Sequence, residues 1–225
     1  MRQLRRVGVL ALVCVVGMIA AAFTATRHGA TVQARNDASC CGPITAKGHQ
    51  LEALLDGMDV ENHWPAHEHV NWESGDPDRG GEYEGPGHTH CSAFAASAAK
   101  KLGVYLLRPP EHGQKLLANA QSEWLAGSAG REHGWSPVSN QREAQTMANY
   151  GSLVLAVFPN PDTGKPGHVA VLRPSEKTTR ALLRDGPQIT QVGTHNHTST
   201  VVRIGFSSHP GAFPDGVRYY VHAVK

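Results

Sequence analysis

The chain has 225 residues, 40 % of them hydrophobic and 18 % charged, with a formal net charge of +2. That size suits one domain with a full core, and the composition excludes a disordered or fibrous chain. No Lys/Arg stripe with interleaved aromatics occurs, so nothing supports nucleic acid as a partner.

Arg2, Arg5 and Arg6 precede an uncharged stretch from Val7 to Phe23, followed by polar, Ala-rich sequence. This is the profile of a secretory signal, and its apolar run is near the short limit for a membrane span. Residues 1–34 are therefore expected to be a signal peptide or an N-terminal membrane anchor, and the remainder to be exported, either periplasmic or secreted. Loss of that segment removes four of the 21 basic residues and no acid, leaving 17 basic against 19 acidic. The basic balance thus belongs to the export segment. Residues 35–46 lack apolar periodicity and are expected to form a flexible tether, with a single domain over 47–225.

Four cysteines are present: Cys14 in the export segment, the adjacent Cys40 and Cys41, and Cys91. They are too few for a disulfide scaffold. Vicinal cysteines close only a strained ring with each other, so Cys40 and Cys41 are expected to bridge outward, carry lipid or stay unpaired. Cys91 is left as a free thiol in an oxidising compartment, and catalysis is one reason to keep such a group.

Leu51, Leu54, Leu55 and Met58 recur at helical spacing, predicting a short helix that ends near Gly57. The polar stretch 59–87 that follows is long for an irregular segment, which points to a functional loop. Cys91, Phe94, Ala95, Ala98 and Leu102 predict an Ala-rich buried helix ending at Gly103. Further helices are expected at about 113–125 and 140–150, the latter with Ser139 as its cap. From Leu153 the period becomes strand-like, over 153–158, 168–172, 188–192, 201–206 and 217–224. Helices first and consecutive strands afterwards argue for an α+β fold, helices packed on an antiparallel sheet.

The chemistry concentrates in two motifs, His88-Thr-His-Cys-Ser-Ala-Phe-Ala95 and Pro166-Gly-His-Val-Ala-Val-Leu172. A cysteine that opens a helix feels the positive end of the macrodipole and exposed backbone N–H groups, which favour its thiolate. A histidine that opens a strand can serve as its base. Cys91 is the candidate nucleophile and His168 the candidate general base, with the N–H groups of Cys91 and Ser92 as the candidate oxyanion site.

In their order, spacing and structural contexts these motifs resemble the CHAP and NlpC-type cysteine amidohydrolases and peptidases, over about residues 64–225. The resemblance implies a papain-like α+β fold. It also implies hydrolysis of amide bonds, mostly in peptidoglycan, by a helix-opening Cys, a strand-opening His and a polar orienting residue, with no cofactor.

If strands 168–173 and 188–193 pair so that partners sum to about 361, Gln191 lies beside Ala170 and near His168. Gln191 is then a candidate to orient the imidazole. Asn196, just past the strand end, is the alternative under a register slip, with His195 a weaker one. Asn, Asp, Glu or His commonly fills this role in the resembling family, so Gln191 would be a departure. Asn71, Trp72, Glu73 and Tyr83 are candidate substrate contacts in the long loop, or a solvated loop whose tryptophans tuck against the core. Arg142 and Asn149 carry the same ambiguity.

A rival constellation is His63, His67, His69, His88, His90 and Cys91, residue types that suit zinc. Pro65 argues against one helix running through His63 and His67, and no His-Glu-x-x-His motif occurs. His90 is expected either to tune the Cys91 thiol or to face solvent. The expected function is an exported cysteine hydrolase acting on peptidoglycan stem peptides as endopeptidase or amidase. The alternatives are a non-catalytic periplasmic binding or assembly module on the same fold, and a His-rich metal-binding protein.

Overall fold

A computed structural model describes residues 38–78 and 88–225. The fold is α+β, with seven helices and a six-stranded antiparallel sheet among these residues. Helix α1 spans Ala46–Asp56, α2 Cys91–Lys101, α3 Leu117–Ala126 and α4 Ser128–Glu132. Strand β1 (Ser136–Val138) and helix α5 (Gln141–Asn149) lead into β2 (Leu153–Phe158) and β3 (His168–Leu172). After α6 (Thr179–Asp185) come β4 (Gln188–Gln191), β5 (His197–Val201), α7 (Val202–Gly205) and β6 (Arg218–His222). The strand order is β1-β6-β2-β3-β4-β5. Among the described residues no helix is long and apolar enough to cross a membrane.

Both faces of the sheet are covered, which is why β2 reads as an unbroken apolar run rather than an alternating one. Its Leu153, Leu155 and Val157 share one core with Val169 and Val171 of β3 and with Phe94, Ala95 and Ala98 of α2. Val154 and Ala156 face the other way, with Ala170, Leu172 and Ile189, against Ala144 and Ala148 of α5 and Phe206 beyond α7. The small side chains of α2 let its backbone ride close to β3, so every residue from Cys91 to Ala99 is buried. In this way one end of β3 and the first turn of α2 come together.

Several expected elements shift for identifiable reasons. Helix α5 is capped by Asn140, whose side chain accepts from the N–H groups of Arg142 and Glu143, rather than by Ser139. Ser139 instead donates its N–H and hydroxyl to the Glu143 carboxylate, the reciprocal half of a capping arrangement. The strand expected over 201–206 is β5 ending at Val201 followed by helix α7, because Val202 and Phe206 point to one core at helical spacing. Helices α4 and α6 and strand β1 are too short to carry a periodic signal.

The tether expected over 35–46 is docked from residue 38 onward. Ser39 bridges Thr178, the Cys40 N–H donates to the Lys177 carbonyl, and Cys41 is buried. Cys40 and Cys41 are joined to each other, correcting the expectation that they bridge elsewhere or stay free. Residues 1–37, with the segment expected to direct export and Cys14, lie outside the described residues, as does Tyr83.

Within the long loop, Trp64 is fully buried and meets Phe94 edge to face at 5.6 Å. Gly75 has a φ of +79°, and a Cβ there would stand 2.3 Å from the Trp64 indole. Only glycine lets the loop close over that ring.

Candidate active site

Cys91 opens α2 and is 4 % exposed. No side chain caps this helix: His90 occupies the cap position, but its ring is buried and turned to the Glu68 carbonyl at 2.8 Å. His90 therefore does not face solvent, and its ring ties the loop to the helix start. The uncapped first turn leaves its N–H groups free to act on a ligand or on the sulfur. The backbone N–H groups of Val169, Ser92 and Cys91 meet the sulfur and favour its thiolate, but burial outweighs them and pushes the thiol above its ordinary range. The resting group is a thiol, contrary to the expectation from the helix macrodipole alone.

Because the Val169 N–H meets the sulfur, Cys91 lies at the same end of β3 as His168. His168 is buried, with its ring on the Ala170 side of the strand against Phe206, centroids 4.6 Å apart. No hydrogen bond among the described residues joins its ring to the thiol. Its approach is set by Asn119 of α3, which accepts from the Gly167 N–H at 2.6 Å and donates to the Lys165 carbonyl at 3.0 Å. A Cβ on Gly167 would stand 2.4 Å from the Phe158 carbonyl oxygen, so glycine is needed where the chain enters β3.

Gln191 is the polar group beside His168. Strands β3 and β4 pair Val171 with Thr190 and Leu172 with Ile189, the register that sets Gln191 next to Ala170. The Gln191 amide nitrogen donates to the His195 carbonyl, so its Oε1 is turned to His168 Nε2 at 2.9 Å. An amide oxygen only accepts, which places the proton on Nε2 and makes Nδ1 the basic nitrogen. Burial, aided by the nearby His209, pushes the His168 pKa down to about 3 against the opposing Gln191 bond. At neutral pH both Cys91 and His168 are therefore uncharged.

Asn196 does not reach the imidazole. Its Oδ1 accepts from the Gly193 N–H, and its Nδ2 lies 2.8, 2.9 and 3.0 Å from the carbonyls of Val60, His63 and Trp64. It clamps the long loop to the end of β4. His195 contributes only its carbonyl to Gln191 and its side chain to a cavity wall.

Two cavities meet at Thr89. One, of about 290 Å³, is lined by Cys91, Ser92, His88, Gln114, Lys115 and Pro166 among others. The other, of about 170 Å³, is lined by His168, Gln191, His195, His197 and His209 among others. A larger groove of about 430 Å³ lies elsewhere, between β1, β6 and the start of α5.

Asn71 and Trp72 line neither site cavity among the described residues. Asn71 caps its own turn by accepting from the Glu73 and Ser74 N–H groups, and Trp72 packs beneath the Lys100 and Arg108 cations. Glu73 pairs with Lys100. Arg142 and Asn149 serve the docked segment, donating to the carbonyl of Cys40 and to those of Cys41, Gly42 and Ser175 respectively. His63 faces Asp76 and His69 faces Asp78. Among the described residues no three His, Cys, Asp or Glu side chains come together as a metal site.

Residue-by-residue reading missed three contributors. Asn119 positions the His168 approach, and Gln121 donates to the carbonyls of Ser92 and Leu107, pinning the first turn of α2. His209 lies face to face with His168. Each sits on an element or loop remote in sequence from the motif it serves, so no local spacing marks it.

No protein-family model matches the chain, and the curated proteins compared with it include no match.

Proposed function

We propose that this protein is an exported cysteine hydrolase of amide bonds, acting on peptidoglycan stem peptides as an endopeptidase or amidase on a papain-like fold. The observation that carries the reading is the His168–Gln191 pair, with its amide orientation locked by His195, at the end of β3 where the Val169 N–H meets the Cys91 sulfur. The choice of peptidoglycan rests on the resemblance of the two motifs to CHAP and NlpC-type enzymes and on the export profile of residues 1–34.

With both groups uncharged at rest, the thiol proton passes to His168 Nδ1 as the sulfur attacks the acyl carbon. The S–C bond forms and the carbonyl π pair moves to oxygen, where the N–H groups of Cys91 and Ser92 stabilise it. As the C–N bond breaks, the leaving amine takes the proton from the imidazolium. Water, deprotonated by the same nitrogen, then releases the acid and regenerates the thiol. Gln191 accepts from Nε2 throughout and keeps Nδ1 as the base.

Digestion of purified peptidoglycan by wild type and by Cys91→Ser, with product analysis, tests this reading. New amine and carboxyl termini from wild type alone support it, and equal products from both proteins overturn it. One observation favours a second reading, a non-catalytic binding module on the same fold: the thiol is buried and has no hydrogen bond to the imidazole. Binding of intact muropeptides without turnover, unaffected by Cys91→Ser, would favour that module.

A further inference from the structure

We propose that His209 is a positioning residue for His168, its ring lying flat on the imidazole and fixing the rotation in which Nε2 stays on Gln191. This rests on the reading of His168 as the general base. The two rings are 5.0 Å apart between centroids and 20° from parallel. Phe206 meets His168 edge-on from another direction at 75°, and Gln191 holds one ring nitrogen. One hydrogen bond leaves an imidazole free to rock about the Cβ–Cγ bond, a broad torsion with no deep wells of its own. Packing of flat surfaces on the ring removes that freedom.

His209 is itself held. Its N–H donates to the Phe206 carbonyl, its carbonyl accepts from the Ala212 N–H, and its Nδ1 lies 3.1 Å from the Ser208 hydroxyl. Phe158 of β2 meets the ring edge to face at 5.9 Å. The turn after α7 thus carries a flat ring to the imidazole beside Phe206. The titratable side chains on the shared cavity wall are His168, His195, His197 and His209, with no acid among the described lining residues. A positive charge on His209 is felt at His168 without a counter-ion, which disfavours a second positive charge there.

The test compares full-length wild type, His209→Leu, which fills the space without a flat ring, and His209→Phe, which restores the ring without the charge. Nitrogen-15 NMR of labelled histidine reads the His168 tautomer and titration, and hydrolysis of muropeptides reads kcat and KM. In wild type His168 is the Nε2–H tautomer. In His209→Leu that signature becomes mixed and kcat falls about tenfold with KM within about twofold, as expected when a base loses its orientation. His209→Phe restores the tautomer and most of kcat. In both variants the His168 titration midpoint moves up, because the neighbouring charge is gone.

An unchanged tautomer in His209→Leu, or a loss that His209→Phe does not rescue, overturns the proposal. If no protein hydrolyses muropeptides, the reading of the reaction fails, while the NMR arm still decides whether His209 positions the ring.

Discussion

The side chain of Gln191 is spent at both ends: its amide nitrogen donates to the His195 carbonyl and its oxygen accepts from His168 Nε2 at 2.9 Å. Turning the amide over would set its N–H against the buried His168 ring, so the tautomer of His168 is set through the His195 carbonyl, four residues beyond Gln191. Gln191→Ala is expected to lower kcat by roughly tenfold to a hundredfold while leaving the fold intact. Gln191→Glu is expected to retain more activity and to raise the His168 pKa, since a carboxylate also accepts from Nε2 and favours the imidazolium. Steady-state kinetics against pH for the two variants check this.

Asn196, close by in sequence, is expected to behave differently. Its amide serves three loop carbonyls and the Gly193 N–H, so Asn196→Ala strands polar groups and frees the long loop. A loss of about 1–3 kcal/mol in unfolding free energy is expected, with kcat well below the melting temperature changed less than in Gln191→Ala. Denaturant melts beside kinetics distinguish the two residues.

The buried, uncharged His168 makes stability depend on pH in a defined direction. Its folded pKa is about 3 against an ordinary 6.5, so the unfolded chain binds a proton that the folded chain refuses. Its contribution is complete above pH 6.5 and is lost as pH falls from there toward 3. The change is about 5 kcal/mol at most. His168→Phe is expected to flatten the acid side of a stability-versus-pH curve measured by denaturant melts, and an equally steep curve would contradict the burial.

Cys91 is expected to alkylate slowly with iodoacetamide at mildly acidic and neutral pH, with a rate that keeps rising past the ordinary thiol range. The cause is burial, which holds the thiol protonated despite three nearby N–H groups. A plateau at mildly acidic pH would instead reveal a resting thiolate–imidazolium pair and contradict the neutral site.

The positions of the motifs and the α+β class were legible because they rest on local order: apolar spacing for α2, the Pro166-Gly167 boundary before β3, and helices preceding strands. The β3–β4 register was only conditional in the sequence, where partners summing to about 361 set Gln191 beside Ala170 and a slip brought in Asn196; the observed pairing of Leu172 with Ile189 is the first of these. What local order does not contain is desolvation. The helix start alone argued for a thiolate at Cys91, and only the packing of α2 on the sheet reveals that burial wins. The same holds for the partners of His168. The choice between Gln191 and Asn196 turned on where a loop roughly a hundred residues before β3 needed its carbonyls satisfied, and His209 arrives from the turn after α7. Sequence by itself picked out Cys91, His168 and Gln191 as candidates and the elements that bear them; tertiary structure decided their protonation and their neighbours, because both depend on what excludes water around a group rather than on what adjoins it in the chain.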